Sequence, residues 1–483
     1  MKTSHGRAPA KRNLGKLREG IAGATALLFF AAASCSSAHG RRPAGSSGEL
    51  DRDGRRWIGT WATAPQAARP ARLQIFRNQS VRLIAHTSAG GTSARVRISN
   101  AFGDAPLFVG GARLARRTAG ADIDPTSDRV LTFGGRTSVR VPPGSMAVSD
   151  PADLAVPPLS DVAVSLFFPE PAAATTSHAL ALQTSYVSAE TGDATSAASF
   201  PVARTIGTWP FLTGIDVAAS PGGASIVAFG ASHTDGDGST KDANHRWPDV
   251  LAERLQKAGG RDAALGVLNE GIIGNRLLRD IHSPGQTGGP FESVLQELGP
   301  ILGTAGVERF QRDVLEQPGV RYVVLGIGVN DILFPGAFTP VTESVTARSV
   351  IEGNRRLIVR AHEKGIRAIG MTIPPFEDAT FQSPTIHFST PEKEAMRREV
   401  NAWIRSGGEF DGVIDFDEVV KDPNRPTRLL PEYDSGDHLH PNDAGYIATA
   451  NAISVELFRD GRAGADAPRF SAGQRTDRAA SSR

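Results

Sequence analysis

The sequence predicts an α/β protein in two parts: a three-layer α/β/α domain with a parallel sheet, preceded by a β-sandwich-like domain. Three observations point there. Up to about residue 213, apolar and polar residues alternate with period two, as in Ala94-Arg95-Val96-Arg97-Ile98 and at Val162, Val164 and Leu166. After Pro221-Gly222-Gly223 the pattern changes to short, almost wholly apolar runs such as Ser225-Ile226-Val227-Ala228-Phe229, the composition of a strand buried on both faces. Those runs then alternate with segments of helical spacing, the order that builds a parallel sheet covered by helices.

In the first part, turn signals at Gly90-Gly91, Gly134-Gly135, Pro142-Pro143-Gly144 and Pro157-Pro158 separate short strands, and no helix is expected. In the second, Trp247, Val250, Leu251 and Leu255 share one helical face, with Pro248 near the helix start. Strands follow at about 265–269, 322–327, 367–373 and 413–415. Helices are expected within about 341–363 and 391–405, and from about residue 443. The expected organisation is 1–34 signal peptide, 35–54 linker, 55–218 β-rich accessory domain, 222–460 α/β domain and 461–483 disordered tail.

The amino terminus reads as an export signal. A basic stretch over residues 2–18 precedes an apolar run of 13 residues, Ile21 to Ala33. That run is shorter than the roughly 20 residues needed to span a bilayer and fits a signal-peptide core. Two processing readings follow. Ala32-Ala33-Ser34-Cys35 is similar to a lipoprotein box with Cys35 as the lipidated residue, although Ala32 replaces the usual Leu; cleavage after Ala38 would instead release a free secreted protein. The expected location is extracellular or lipid-anchored at the cell surface, with the membrane engaged solely through such an anchor.

Composition narrows the function classes. With 483 residues, 40% hydrophobic and 22% charged, the chain is globular rather than mainly disordered. Residues 1–34 carry six basic side chains and one acidic, a net +5, so the remainder, from a total of +2, carries −3. A mildly acidic mature chain has no electrostatic reason to bind nucleic acid. The single cysteine, Cys35, excludes an internal disulfide framework and a cysteine-built zinc site.

In open α/β sheets, ligands bind at the carboxyl ends of the strands. The first strand end carries Gly230-Ala231-Ser232-His233-Thr234-Asp235-Gly236. A serine on a tight turn between strand and helix is placed to be an exposed nucleophile; a lone serine there more often serves as a helix cap. The second carries Asn269-Glu270-Gly271-Ile272-Ile273-Gly274-Asn275, where glycine lets backbone approach a ligand and present an N–H. The third carries Gly328-Val329-Asn330-Asp331, where an Asn side chain can donate to a developing oxyanion. Near the end, Asp437-His438-Leu439-His440-Pro441 puts a carboxylate three residues before a candidate base. The rival reading of that stretch is a metal site built from His438, His440 and an aspartate.

Taken together, the four blocks, in this order and each at a strand end, resemble the SGNH (GDSL) hydrolase superfamily over about residues 224–458. Arg246-Trp247-Pro248-Asp249 and Asp434-Ser435-Gly436-Asp437 are similar to the secreted bacterial branch of GDSL-like lipases, acylhydrolases and polysaccharide acetylesterases. Trp57-Ile58-Gly59-Thr60-Trp61-Ala62-Thr63-Ala64-Pro65 resembles the β-rich domain ahead of the hydrolase domain in that branch. The resemblance implies a flavodoxin-like hydrolase domain with Ser232 as nucleophile, His440 as general base and Asp437 orienting His440. It implies an oxyanion hole from the Ser232 and Gly274 backbone N–H groups and the Asn330 side chain. The implied reaction is acyl transfer to water through an acyl-enzyme, without metal or organic cofactor.

Two positions depart from the family pattern: Ala231 stands where Gly-Asp-Ser has its aspartate, and His233 where an aliphatic residue is more common. His178, His245, His282, His362 and His387 carry no supporting motif and read as surface or satisfied loop histidines. Trp209 and Trp403 read as core anchors. The expected function is removal of acyl groups, acetyl above all, from an extracellular ester such as acetylated polysaccharide. The alternatives are a lipase or small-ester esterase, a carbohydrate-binding relative impaired by Ala231, and a metal phosphoesterase.

Overall fold

The computed structural model describes residues 54–281, 298–380 and 388–459. The export signal, Cys35, most of the 35–54 linker, His282, His387 and the 461–483 tail lie outside these residues.

The C-terminal half is built on a parallel sheet. Strands β1 (Ala224–Gly230), β2 (Leu265–Gly271), β3 (Val320–Gly326), β4 (Arg367–Met371) and β5 (Gly412–Ile414) lie in the order β2-β1-β3-β4-β5. Every neighbouring pair is parallel. Because side chains alternate along a strand, each strand supplies both faces. Val227, Phe229, Val323 and Leu325 enter one apolar core. Ile226, Ala228, Tyr322 and Val324 enter the other. Helices α4 (Ala347–His362) and α5 (Pro391–Ser406) cover the first face, and α2 (Trp247–Ala258) and α6 (Asp443–Ala452) the second. This is the expected three-layer α/β/α arrangement.

Local chemistry sets the helix starts. Asp249 accepts from the Arg246 backbone N–H at 3.2 Å, and Pro248, which lacks an N–H, sits in the first turn of α2. Thr346, Thr390 and Asn442 each cap a helix by accepting a backbone N–H. The helix expected within 341–363 begins only at Ala347; Val341–Glu343 forms a separate 3-10 turn before the Thr346 cap.

The N-terminal region holds antiparallel sheets. Strands Arg56–Ala62, Leu212–Ala219, Ala94–Ser99 and Met146–Val148 form a four-stranded sheet. A six-stranded sheet contains Gln79–His86 and Asp161–Phe168 at its centre. Their inner faces share one core, including Ile58, Val96 and Ile98 from the first and Leu83, Val164 and Leu166 from the second. The described helices here are short 3-10 turns.

The outer face of the four-stranded sheet is not solvated, for it packs against the parallel sheet within one compact unit. Arg95 and Arg97, which alternate with the apolar core residues, are each 5% exposed. Both pair with the buried Asp216, Arg95 Nε at 2.9 Å and Arg97 Nε at 3.2 Å. Arg97 Nη2 also donates to Gln317 Oε1 at 2.8 Å, across the junction. Glycine makes the approach close enough: a Cβ on Gly266 of β2 would lie 2.0 Å from the Gly59 carbonyl oxygen. The Gly59 N–H donates to Ser225 Oγ at 3.0 Å, and Ser88 Oγ accepts the Val267 N–H on the edge strand β2 at 2.9 Å. The edge that β2 would otherwise present is thereby occupied. Among the described residues, no helix is long and apolar enough to cross a membrane.

Candidate active site

The site lies at the carboxyl ends of β1, β2 and β3, closed by the loop before α6. Strand β1 ends at Gly230 and the chain turns at Ala231 into α1 (Ser232–Asp235), a single helical turn ended by Gly236 at φ +101°. Ser232 is therefore the first residue of a helix, where backbone N–H groups have no intrahelical acceptor.

Ser232 Oγ lies 2.8 Å from His440 Nε2, and His440 Nδ1 lies 2.6 Å from Asp437 Oδ2. A carboxylate only accepts, so Nδ1 carries the proton and Nε2 is left to accept from the serine hydroxyl. Asp437 also holds the local backbone, its Oδ1 accepting the His440 N–H at 2.8 Å and the Leu439 N–H at 2.9 Å. Asp434 shapes the same loop: it accepts the Gly436 N–H at 2.8 Å and the His438 N–H at 3.1 Å. His438, in the left-handed region at φ +61°, turns its Nδ1 to Asp434 at 2.5 Å. The two histidines of the His-x-His stretch thus serve different carboxylates. Among the described residues, no group of three or more His, Cys, Asp or Glu side chains is placed to hold a metal ion.

Electrostatics prepare the dyad. Burial alone would pull the His440 imidazole down, but the Asp437 hydrogen bond and the charges of Asp237, Asp437 and Asp434 outweigh it, and the net shift is upward. For Asp437 the order is reversed: burial pushes it up, and the bonds from His440 and the two backbone N–H groups carry it well below the usual carboxylate range. Asp237 is a residue the sequence reading missed. Its Oδ2 lies 3.7 Å from His440 Nδ1, and burial, ahead of its neighbours' charges, raises its affinity for a proton. Its signal was available in Gly236-Asp237-Gly238, directly after the nucleophile helix, but nothing local says which way that carboxylate points.

His233 stands behind His440. Its Nε2 donates to the Leu439 carbonyl at 2.9 Å and its ring centroid lies 5.4 Å from that of His440. Burial first, then the neighbouring His440 charge, lowers it from 6.5 to about 3, so it is a neutral strut. Ala231 is 1% exposed and packs in the apolar core beneath the site.

The second and third blocks are tied together. Gly274 has φ +68°, a conformation that favours glycine, and Leu302 covers it. Asn330, buried on the short helix α3 (Val329–Leu333), donates from Nδ2 to the Asn275 carbonyl at 2.9 Å. Its neighbour Asp331 accepts the Leu277 and Leu278 N–H groups at 2.6 and 3.0 Å, and burial raises it from 3.8 to about 6. Arg309, fully buried, donates to the Gly230 and Glu270 carbonyls and to Asn275 Oδ1, each at 2.9 Å. One guanidinium thereby joins the ends of β1 and β2 to the Gly274–Asn275 loop. The sequence analysis overlooked Arg309, whose bonds to the strand ends and the Asn275 loop span 34 to 79 positions, although it also pairs with Asp313 one helical turn away at 3.0 Å.

Of the histidines set aside from the sequence, His245 and His362 pair with Asp443 and Asp411, each at 2.8 Å and partly exposed. His178 requires a correction: it is 2% exposed, not a loop or surface residue, and its Nε2 lies 3.0 Å from Asp235 Oδ1 on the nucleophile helix. Trp209 is a buried core residue, edge-on to Trp61 at 4.9 Å. Trp403 is partly buried, packs on Phe410 and donates to Glu409.

Ser232, His440 and Asp437 thus stand in hydrogen-bonded series beside the ends of a parallel sheet, an arrangement that can activate a serine hydroxyl. The sequence model of the GDSL-like lipase/acylhydrolase family matches residues 226–453, so the C-terminal half of this chain is a domain of that family, preceded by a β-rich region. Several solved structures are similar to it. An aryl esterase from M. smegmatis is 18% identical, covering 49% of this chain and 98% of that one with TM-score 0.34. A GDSL-like lipase from Bacteroides thetaiotaomicron is 17% identical, covering 48% and 87% with TM-score 0.31. An acetyl xylan esterase is 18% identical, covering 47% and 96% with TM-score 0.32. No curated protein matches the chain.

Proposed function

We propose that this protein is an exported serine ester hydrolase that removes acyl groups, acetyl above all, from an extracellular substrate such as an acetylated polysaccharide. The observation that carries the reading is the continuous line Ser232 Oγ–His440 Nε2 at 2.8 Å and His440 Nδ1–Asp437 Oδ2 at 2.6 Å. Neutral His440 takes the hydroxyl proton at Nε2 as Ser232 Oγ attacks the ester carbonyl carbon. Asp437 holds the Nδ1–H tautomer and stabilises the imidazolium. The carbonyl oxygen, now negative, is received by the Ser232 and Gly274 N–H groups and Asn330 Nδ2. Collapse expels the alcohol, which takes the proton from Nε2. Water, deprotonated by the same nitrogen, then releases the acid and frees Ser232.

The matched family supports ester hydrolysis as the reaction class. Deep burial of Ser232 and His440 supports a small acyl group. The basic stretch and apolar run at the amino terminus support export, either free or through lipidated Cys35. Packing of Ala231 into the core supports a structural rather than a catalytic role for that position.

The test is hydrolysis of p-nitrophenyl acetate and longer esters by the mature protein and by Ser232→Ala, with folding checked for both. Activity confined to the wild type and falling with acyl length, together with covalent labelling of Ser232 by a fluorophosphonate, is the expected result. A folded wild type that neither hydrolyses nor labels would overturn the reading.

A further inference from the structure

We propose that the β-rich region supplies a positioning residue to the oxyanion hole: His178, acting through Asp235 on the Ile273–Gly274 backbone. The inference rests on the esterase reading above and assigns the N-terminal region a part in the chemistry itself.

Asp235 is the last residue of α1, the same single turn that begins with Ser232. Its Oδ2 accepts the Ile273 N–H at 2.8 Å, and Ile273 immediately precedes Gly274. One buried carboxylate therefore sets the distance between the helix of Ser232 and the loop whose next residue, Gly274, is the proposed oxyanion donor. The other oxygen, Oδ1, is held by His178 Nε2 at 3.0 Å. His178 belongs to strand Thr176–His178, which pairs with Gln66–Ala67 and Trp209–Pro210 in the β-rich region. Its ring is fixed twice more, by Nδ1 against the Ala64 carbonyl at 2.9 Å and by Trp209 at 5.8 Å between centroids.

The proton inventory is specific. The Ala64 carbonyl accepts, so Nδ1 carries a hydrogen; the Asp235 bond needs one more proton, on Nε2 or on the carboxyl itself. Without His178, Asp235 would be a buried carboxylate with half its acceptors empty, and turning it toward another donor would release Ile273. A second strut from the same region supports this placement. Gln66 accepts the Ala179 N–H and donates to the Ile301 carbonyl, both at 2.6 Å, and the following residue, Leu302, covers Gly274. The oxyanion loop is thus referenced to the β-rich region on two sides.

The experiment uses the full mature chain with His178→Phe, which keeps the ring against Trp209 and removes both nitrogens, and His178→Gln, which restores a donor toward Asp235. Active sites are counted by fluorophosphonate titration, and p-nitrophenyl acetate kinetics are expressed per titrated site. For His178→Phe, kcat per site is expected to fall about ten- to hundredfold, as for a catalytic group displaced by up to an ångström. KM should change less than twofold, and His178→Gln should recover most of the loss. Amide hydrogen exchange over residues 271–275 should quicken in the Phe variant while residues 79–86 keep wild-type protection. A purely structural role would lower the number of titratable sites and leave kcat per site unchanged, and that result overturns the proposal. If His178→Phe does not fold, His178→Asn, too short to reach Asp235, replaces it with the same expectations. If the wild type has no Ser232-dependent esterase activity, the esterase reading fails separately. Exchange over 271–275 then decides the positioning claim alone, unchanged protection refuting it.

Discussion

Asp437→Asn tests how His440, the proposed base, is held. Asp437 uses both oxygens: Oδ2 takes the His440 Nδ1 proton at 2.6 Å, while Oδ1 accepts two backbone N–H groups at 2.8 and 2.9 Å. An amide can preserve one set or the other. If its oxygen stays on the backbone, its NH2 faces Nδ1, the imidazole proton moves to Nε2, and Ser232 loses its acceptor. In other serine hydrolases that tautomer error costs about 10⁴ in kcat, about 5.4 kcal/mol at 1.36 kcal/mol per tenfold. If the amide flips, the tautomer survives but two backbone donors meet an NH2 group, at about 1–3 kcal/mol each. The cheaper route sets the loss, between about 2 and 5.4 kcal/mol, so kcat should fall by about 30-fold to 10⁴-fold with KM little changed. Asp237 limits the damage. At 3.7 Å from Nδ1 its attraction is about seven tenths of that of Asp437 at 2.6 Å, in the same medium. Asp237→Asn alone should therefore cost far less, and the double variant more than Asp437→Asn. The assay is p-nitrophenyl acetate hydrolysis near pH 8, with circular dichroism and thermal melts to establish folding. An Asp437→Asn enzyme within tenfold of wild type, or an Asp237→Asn enzyme worse than Asp437→Asn, would refute the reasoning.

Other outcomes follow from the same geometry. Because His440 must be neutral to act and its pKa is raised above 6.5, the rate should climb with pH through a half-point above 6.5; Asp237→Asn should move that limb downward, and an acid limb near 6 in the wild type would contradict it. Asn330→Ala removes one oxyanion donor and the bond to the Asn275 carbonyl, so kcat should drop about 10²–10³ at nearly constant KM, and a loss appearing in KM alone would argue against an oxyanion role. His233 binds its proton at about 3 when folded against 6.5 otherwise, so the unfolded chain is protonated first and stability from this group falls as pH drops below 6.5. His233→Gln keeps a donor for the Leu439 carbonyl and lacks this slope; between pH 6.5 and 4.5 its stability relative to wild type should improve by about 2 kcal/mol in urea titrations, and parallel curves would count against a neutral buried His233.

The readability of each part tracks the range of its interactions. The five parallel strands were legible because burial on both faces demands continuous apolar residues, as in Ser225–Phe229; errors fell at the ends, where β2 runs on to Gly271 and β3 begins at Val320. Asp437 and His440 were legible because three residues' separation lets one loop join them. Arg95 and Arg97 were read as the face opposite the core, which they are; alternation does not say that this face meets a second sheet rather than water. His178 and Asp235 are 57 positions apart and Arg309 is 79 from Gly230, so no local pattern ties them.

By itself, the sequence determined the order of the elements, the two rhythms of the chain and the strand ends that carry Ser232, Gly274 and Asn330; the Asp437–His440 block, expected at a strand end as well, lies on the loop before α6. Periodicity and turn chemistry act between residues a few places apart, and the chain records them directly. Tertiary structure alone decided that Asp237 stands beside His440, that Arg309 binds two strand ends, and that a histidine of the β-rich region grips the helix that begins at Ser232. Those contacts arise when burial brings distant segments together and each buried polar group must find a partner. The partner is chosen by proximity in the packed protein, which no spacing along the chain encodes.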